Sequence, residues 1–378
     1  MGDSVPAARS ARAVFEGIIE LGPRDLKRVA QLKGLGYTQA IRAFHNSVAK
    51  FGVRVLGAAN NEMLGLVLTF FEVKPTEPYR DVLFDSFSSL RSLSYLGVDM
   101  TDLSTLFGLV YIPASASGHV YLSLFEKLKE RGLISSYRTH VAAKRLRYSV
   151  RPECIDWSTG KYSFEWADLK DRVAEDTVFE LSESVLADYV DLLIIKELES
   201  DATISLSEIS NRLLEKHQLK VSERLLLYHF TRHLVGHKLL SRYKVFFPLA
   251  NSISAYIIVR VKASCNEQYA KLVRRIPFLS IELFTGGDSV HISSHNIPLD
   301  HLPGFVSYVQ KKLRPLVSGL DIKMSIQGLR YAYTIPFELF DIQTGMWKYD
   351  AETDAQQVAI RAQELLSSVR QREGKPID

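Results

Sequence analysis

The chain of 378 residues carries only two cysteines, Cys154 and Cys265. Two thiols cannot staple a chain this long, and no Cys-x-x-Cys spacing exists, which excludes a disulfide scaffold and a thiolate zinc site and fits a reducing compartment. No run approaches the ~18–20 uninterrupted apolar residues that cross a bilayer. The opening MGDSVPAARSARAVFEG lacks the apolar stretch of a secretory signal. A cytoplasmic protein with no membrane partner is expected. Net charge is small as well: 47 Lys+Arg face 43 Asp+Glu, for a formal +4. That excess permits nucleic acid without arguing strongly for it. Apolar residues at 46% and charged residues at 24% exclude wholesale disorder. At roughly 150 residues per domain, two or three domains are expected.

What the chain does contain is a copy of itself. Leu146 to Trp166 reads LRYSVRPECIDWSTGKYSFEW, and Leu329 to Tyr349 reads LRYAYTIPFELFDIQTGMWKY. Leu-Arg-Tyr, a proline, Asp-x-x-Thr-Gly and an aromatic-rich strand recur in order, at an offset of 183 that widens to 185. A repeat that long means two similar modules, since solenoid units run ~20–50 residues.

Periodicity predicts matching elements in each copy. In the first, Val14–Leu21 and Arg24–Leu32 read as helices divided by Gly22-Pro23, and Tyr37–Phe51 as a third with Ile41, Phe44 and Val48 on one face. In the second, helices are expected over Tyr189–Leu198, Ile204–Lys216 and Ser222–His237. Leu227, Phe230 and Leu234 repeat the 41/44/48 spacing at an offset of 186. Strand-like Val53–Leu56 and Leu239–Phe247 close the two trios, which is the winged helix-turn-helix pattern.

Strands then alternate with helices. The first copy has strands at Gly65–Lys74, Ser92–Asp99, Leu106–Ile112 and Ser136–Val141, with helices over Tyr79–Leu90 and Gly118–Arg131. The second has strands at Ile253–Ala263, Leu279–Phe284, Val290–Ser293 and Asp321–Ser325, with helices over Glu267–Arg275 and Leu302–Leu316. This βαββαβ order is the ferredoxin-like plan, an antiparallel sheet with helices on one face. The expected fold class is α+β: two tandem units whose bare sheet faces pack together as a pseudo-dimer. Boundaries fall at 10–62 and 185–248 for the winged units and at 63–141 and 249–326 for the ferredoxin-like modules. Tails cover 142–184 and 327–378, the last ending in a polar helix around Glu352–Arg372.

The order resembles the Lrp/AsnC (feast/famine) regulators. Glu199 to Leu213 (ESDATISLSEISNRL) looks like that family's entry to its second helix, and Leu239 to Val245 (LLSRYKV) like its exit from the recognition helix. Leu283 to Asp288 (LFTGGD) resembles its Thr-Gly-x-x-Asp turn, which the first copy lacks. The resemblance covers about 185–326 directly and 10–141 through the repeat, and the family carries one unit per chain where this chain has two. It implies double-stranded DNA as partner, a small-molecule effector near Thr285, Gly286, Gly287 and Asp288, and no catalytic activity or cofactor.

DNA recognition also follows from the residues. On the helix from Tyr37, Gln39, Arg42, Asn46 and Lys50 fall opposite the apolar face. Gln and Asn can pair with adenine and Arg with guanine, while Lys50, Thr38 and Arg24 are placed to meet phosphates. Residues 9–54 hold nine basic against three acidic side chains. In the second copy, Arg224, Tyr228 and Arg232 occupy the equivalent stripe beside Leu225, and 185–244 balances nine basic against eight acidic residues. Base reading there competes with a role in binding protein.

No other constellation in the sequence is expected to carry chemistry. His229, His233 and His237 are helically spaced, but no carboxylate or cysteine completes a metal shell at a recognisable spacing. Gly286-Gly287-Asp288-Ser289 lacks the Lys-Ser/Thr of a phosphate loop. The chain is therefore expected to be a non-enzymatic transcription regulator, an intramolecular pseudo-dimer with room for further dimerisation. Two alternatives stay open. One is a tetrapyrrole-modifying enzyme, because siroheme decarboxylases resemble this layout; His291, His295 and Arg330 would then bind carboxylates. The other is an interaction scaffold.

Overall fold

The computed structural model describes residues 4–114, 119–172, 187–247, 252–261, 265–285, 290–325, 328–330 and 334–372. Three helices, α1 (Ser4–Leu21), α2 (Leu26–Leu32) and α3 (Tyr37–Phe51), lead into strand β1 (Arg54–Ala59). Gly22 ends α1 at φ 85, where a Cβ would lie 2.3 Å from the Tyr243 ring. Asp25 caps α2 by accepting the Arg28 N–H at 3.0 Å. Gly52, left-handed at φ 64, closes α3.

The first sheet module follows as β2 (Leu66–Pro75), α4 (Leu83–Phe87), β3 (Leu93–Val98), β4 (Leu106–Pro113), α5 (His119–Glu130) and β5 (Ile134–Arg147). A hairpin of β6 (Ile155–Asp156) and β7 (Lys161–Tyr162) lies in the first tail. The second half repeats the order with α6 (Tyr189–Ser200), α7 (Leu206–His217), α8 (Glu223–Tyr228, continued as a π-type turn over His229–Val235) and β8 (Leu240–Phe246). Its module is β9 (Ser252–Val261), α9 (Asn266–Arg275), β10 (Leu279–Thr285), β11 (Val290–Pro298), α10 (Leu302–Tyr308) and β12 (Val317–Ser325). Next come β13 (Gly328–Arg330), hairpin β14 (Phe340–Asp341) and β15 (Met346–Trp347), and α11 (Ala351–Arg372). No described helix is long and apolar enough to cross a membrane.

The halves are stitched at three places. β1 pairs antiparallel with β8, so each trio's closing strand finds its partner in the other trio. The two sheets join edge to edge in the order β12-β9-β11-β10-β5-β2-β4-β3-β13. β5 pairs first with β2 of its own module and then, through 142–147, with β10 of the other. β13 does the reciprocal job on β3. β12 and β13, close in sequence, form the two ends of this order. The inner faces meet: Tyr256 of β9 lies 5.3–5.7 Å from the rings of Phe70, Tyr95 and Phe107. Lys323 of β12 reaches Asp99 at 3.1 Å and Glu72 at 3.6 Å across the module boundary.

The outer faces carry the helices, and the tails cross over. Phe164, Trp166 and Leu169 of the first tail pack on the α9/α10 face of the second module. In return α11 buries Ala351, Ala355, Val358 and Ala362 on the α4/α5 face of the first. The repeated Asp-x-x-Thr-Gly is a turn device. Asp156 accepts the Thr159 hydroxyl at 2.9 Å and Asp341 accepts that of Thr344 at 2.7 Å, while Gly160 and Gly345 take φ 72 and 66.

Three local expectations change. The helix expected over Tyr79–Leu90 shrinks to Leu83–Phe87: Pro78 precedes it, and Ser86 and Ser89 turn their hydroxyls back onto the carbonyls of Val82 and Ser86 at 2.7 Å. Leu227 points outward at 51% exposure, and Leu226 takes the core position instead. The strand expected at Ser136–Val141 runs on to Arg147 because the other module supplies a second partner.

Trp157 anchors the first trio to its tail. It stacks on Phe15 at 4.9 Å and donates its indole N–H to Pro152 O at 2.9 Å. Trp157→Ala is expected to cost about 3–5 kcal/mol, read as a lowered urea midpoint by tryptophan-independent circular dichroism.

Candidate functional site

The stripe on α3 is exposed, as Thr38, Gln39, Arg42, Asn46 and Lys50 all reach solvent. It is not a bare ridge. Gln39 donates to Ser10 Oγ at 2.7 Å and Lys50 to Ser158 O at 2.9 Å. With Ser10 and Ala11 of α1 and with Trp157, the stripe borders a groove of about 370 Å³. Arg24 departs from its expected phosphate role. Its Nη2 donates to Ile204 O at 2.6 Å and its guanidinium lies 5.1 Å from the centre of the Phe230 ring, so it ties the two trios together.

On α8, Arg224, Tyr228 and Arg232 are exposed, but so are Leu225, Leu227 and Val235. Aliphatic side chains offer base edges no hydrogen bond, which distinguishes this face from that of α3. Thr285, at the end of β10, donates its hydroxyl to Val290 O at 3.3 Å. Gly286, Gly287 and Asp288 lie outside the described residues, as does the side chain of Arg330, whose backbone pairs with Tyr95.

The densest chemistry lies in the second module, between the outer face of β10/β11 and α9. Glu282 is fully buried, and its Oε2 accepts Arg274 Nε at 2.9 Å and the Tyr148 hydroxyl. Its Oε1 meets His291 Nε2 at 3.1 Å, and His291 Nδ1 meets the Tyr269 hydroxyl at 3.1 Å. Four residues further along β11, His295 bonds Ser293 Oγ at 2.9 Å and packs on Phe305. Burial would raise the Glu282 carboxyl, yet His291, Arg274 and Tyr148 more than offset it and hold it below the usual carboxylate range. Burial, then the nearby charge of His291, pushes the His295 imidazole down to about 3. Burial and Glu282 together drive the Tyr148 phenol upward. The set therefore offers one ionised carboxylate, one guanidinium, and an imidazole held between a carboxylate and a phenol, an arrangement able to hold or pass a proton.

The position equivalent to Glu282 in the first module is apolar. Leu96, at the repeat offset of 186 from Glu282, packs with Phe71, Val110, Leu124 and Phe125 in an apolar core. A buried charged network is costly to keep when well-packed apolar side chains would do.

No protein-family model matches the chain, and no curated protein matches it by sequence. The chain shares its fold with a siroheme decarboxylase. The structure of NirDL in co-complex with an iron-uroporphyrin III analogue aligns at TM-score 0.52 and 13% identity, over 86% of this chain and 96% of that chain. A second NirDL structure aligns at TM-score 0.52 and 12% identity, over 93% and 99%. An AsnC family transcriptional regulator from Agrobacterium tumefaciens covers only 40% of this chain, with 98% of its own length, at TM-score 0.32 and 11% identity. The fold is thus mixed α+β with a large antiparallel sheet, similar to NirDL. The expectation of a non-enzyme is overturned: the alignments that span nearly the whole chain are with an enzyme.

Sequence reasoning named His291 and His295 but missed Glu282, Arg274, Tyr148 and Tyr269. The available signal was a lone glutamate inside the apolar strand Leu279 to Phe284 (LSIELF). A His buried in its neutral form destabilises the fold once the unfolded chain can protonate. Stability is therefore expected to be full above about pH 6.5 and to fall as pH drops towards the His295 value of about 3. Loss of the Glu282 contribution adds below the ordinary carboxylate range. His295→Gln should flatten the pH 4–6.5 part of the curve, measured by urea unfolding at fixed pH; an unchanged slope contradicts the assignment.

Proposed function

We propose that the chain is an enzyme that decarboxylates an anionic tetrapyrrole. The carrying observation is that its duplicated architecture matches a siroheme decarboxylase over 86% of this chain and 96% of that one. In this reading, 10–62 and 185–248 act as winged helix-turn-helix units and 63–141 and 249–326 as paired ferredoxin-like modules. Decarboxylation breaks the bond between a side-chain carbon and its carboxylate; CO₂ leaves, and a proton takes its place on that carbon. The chain's own candidate for holding that proton is the buried His291 imidazole, positioned by Glu282 and Tyr269 and joined through Glu282 to Arg274. Arg274, with 21% of its side chain exposed, brings the network's positive charge to the surface, where an anionic substrate would be met.

Anaerobic incubation with siroheme, followed by mass spectrometry of the extracted pigment, should show stepwise loss of CO₂. His291→Gln should lower turnover about 100-fold or more while leaving pigment binding in place. No mass loss and no change in pigment absorbance on mixing would defeat the reading.

A second reading rests on a separate observation, the exposure of Gln39, Arg42, Asn46 and Lys50 together on α3. Duplex DNA suits this stripe, and DNA binding is compatible with catalysis elsewhere in the chain. Arg42→Ala should weaken binding to selected duplexes by about 1–3 kcal/mol, measured by fluorescence anisotropy across a salt series. Equal affinity for wild type and variant at every salt concentration would remove α3 from the interface.

A further inference from the structure

The second helical trio gathers four metal-ligating side chains that the proposed chemistry leaves unused. Helix α6 begins in a capping box: Asp188 accepts the Asp191 N–H at 2.9 Å and Asp191 accepts the Asp188 N–H at 3.0 Å. This brings two carboxylates to the first turn of the helix. The end of α8 lies against them. There the helix widens into a π-type turn, a local distortion that recurs at functional positions.

The π-type turn carries His229 and His233, and both rings present the same edge. His229 Nδ1 is 2.8 Å from Asp191 Oδ1 and 3.6 Å from Asp188 Oδ2, while His233 Nδ1 is 2.9 Å from Asp191 Oδ2. One ligand atom from each of the four residues falls within 4.8 Å of all the others. Asp191 is fully buried and His229 nearly so. His237 stacks on His233 at 5.5 Å and 7°, which fixes the plane of that ring.

We infer that Asp188, Asp191, His229 and His233 bind one divalent transition metal ion of the zinc class. Metal–donor bonds of about 2.0–2.1 Å in a tetrahedron set neighbouring donors about 3.3 Å apart. Three of the separations, 2.8–3.6 Å, lie on either side of that value, and all four donor atoms fall within 4.8 Å, so rotation of the side chains closes the tetrahedron. Two imidazoles favour zinc, cobalt or nickel over magnesium or calcium, which prefer oxygen alone. Two carboxylates, two neutral imidazoles and a dication sum to zero charge, which suits a largely buried place. The positive end of α6 would repel a cation by itself, and the paired carboxylates reverse that field. With all four positions filled by protein, the ion is structural and clamps the start of α6 to the end of α8. Sequence spacing hid this set because the carboxylates come from a helix about forty residues earlier, an arrangement that only the packing of α6 against α8 creates.

The full-length protein, stripped with EDTA, is titrated with Co²⁺ and then with Zn²⁺. One equivalent of Co²⁺ should develop the intense visible bands of a tetrahedral site, and Zn²⁺ should displace them. Zn²⁺ should also raise the thermal midpoint of the wild-type protein. His233→Gln and Asp188→Asn should each weaken Co²⁺ binding about 10-fold or more and abolish the Zn²⁺-dependent rise. Asp188 has 52% of its side chain exposed, so its conservative replacement leaves the helix packing in place and separates lost ligation from misfolding. Absence of stoichiometric Co²⁺ bands in the wild type would overturn the inference, and so would bands that persist unchanged in both variants.

Discussion

Everything in this molecule depends on strands that serve two masters. β5 spends its first half hydrogen-bonded to β2 and its second half to β10, and β12 with β13 performs the same crossing in the other direction. An open four-stranded sheet would present unpaired N–H and C=O groups along its edges. Crossing strands satisfy those groups within one chain. They also force the two inner faces together, so that rings from β2, β3 and β4 close around Tyr256. The helical trios inherit this geometry, since β1 and β8 pair with one another.

Symmetry of backbone coexists with asymmetry of chemistry. Both modules build the same layered arrangement, yet the helix-facing surface of the first is filled with leucine, valine and phenylalanine while that of the second carries Glu282, His291 and Arg274. Duplication allows this division because one copy can supply packing free energy while the other accepts the cost of buried charge. The trios divide in the same way. α3 exposes amides and cations, whereas α8 exposes leucines and turns its histidines towards Asp191.

The βαββαβ order of each half was legible in the sequence because it follows local periodicity. Ile41, Phe44 and Val48 mark the inner face of α3 in the sequence, and in the fold Phe44 is buried and its two neighbours half-buried. What was not legible depends on contacts between distant segments. Residues 142–147 read as a tail, because the partner that makes them a strand lies in the other module. The spacing transferred from α3 placed Leu227 inside, but Leu226 fills that place in the fold. Arg24 looked like a phosphate contact from its charge alone, and the Ile204 carbonyl that it meets is 180 residues away. His291 stood out as an imidazole on a strand, but its partners Tyr269 and Glu282 are arranged by a helix and a neighbouring strand. The non-enzymatic expectation came from the family likeness, and it failed because one architecture can host unrelated chemistries.

The reciprocal crossing has a consequence for how such a molecule could be divided. A backbone break between Arg172 and Ala187 would leave each fragment with one overhanging strand and one vacant berth for the other's overhang. Neither fragment would be a finished domain, yet together they would be a matched pair. The hydrogen bonds that now close the sheet within one chain would then hold the two fragments to each other.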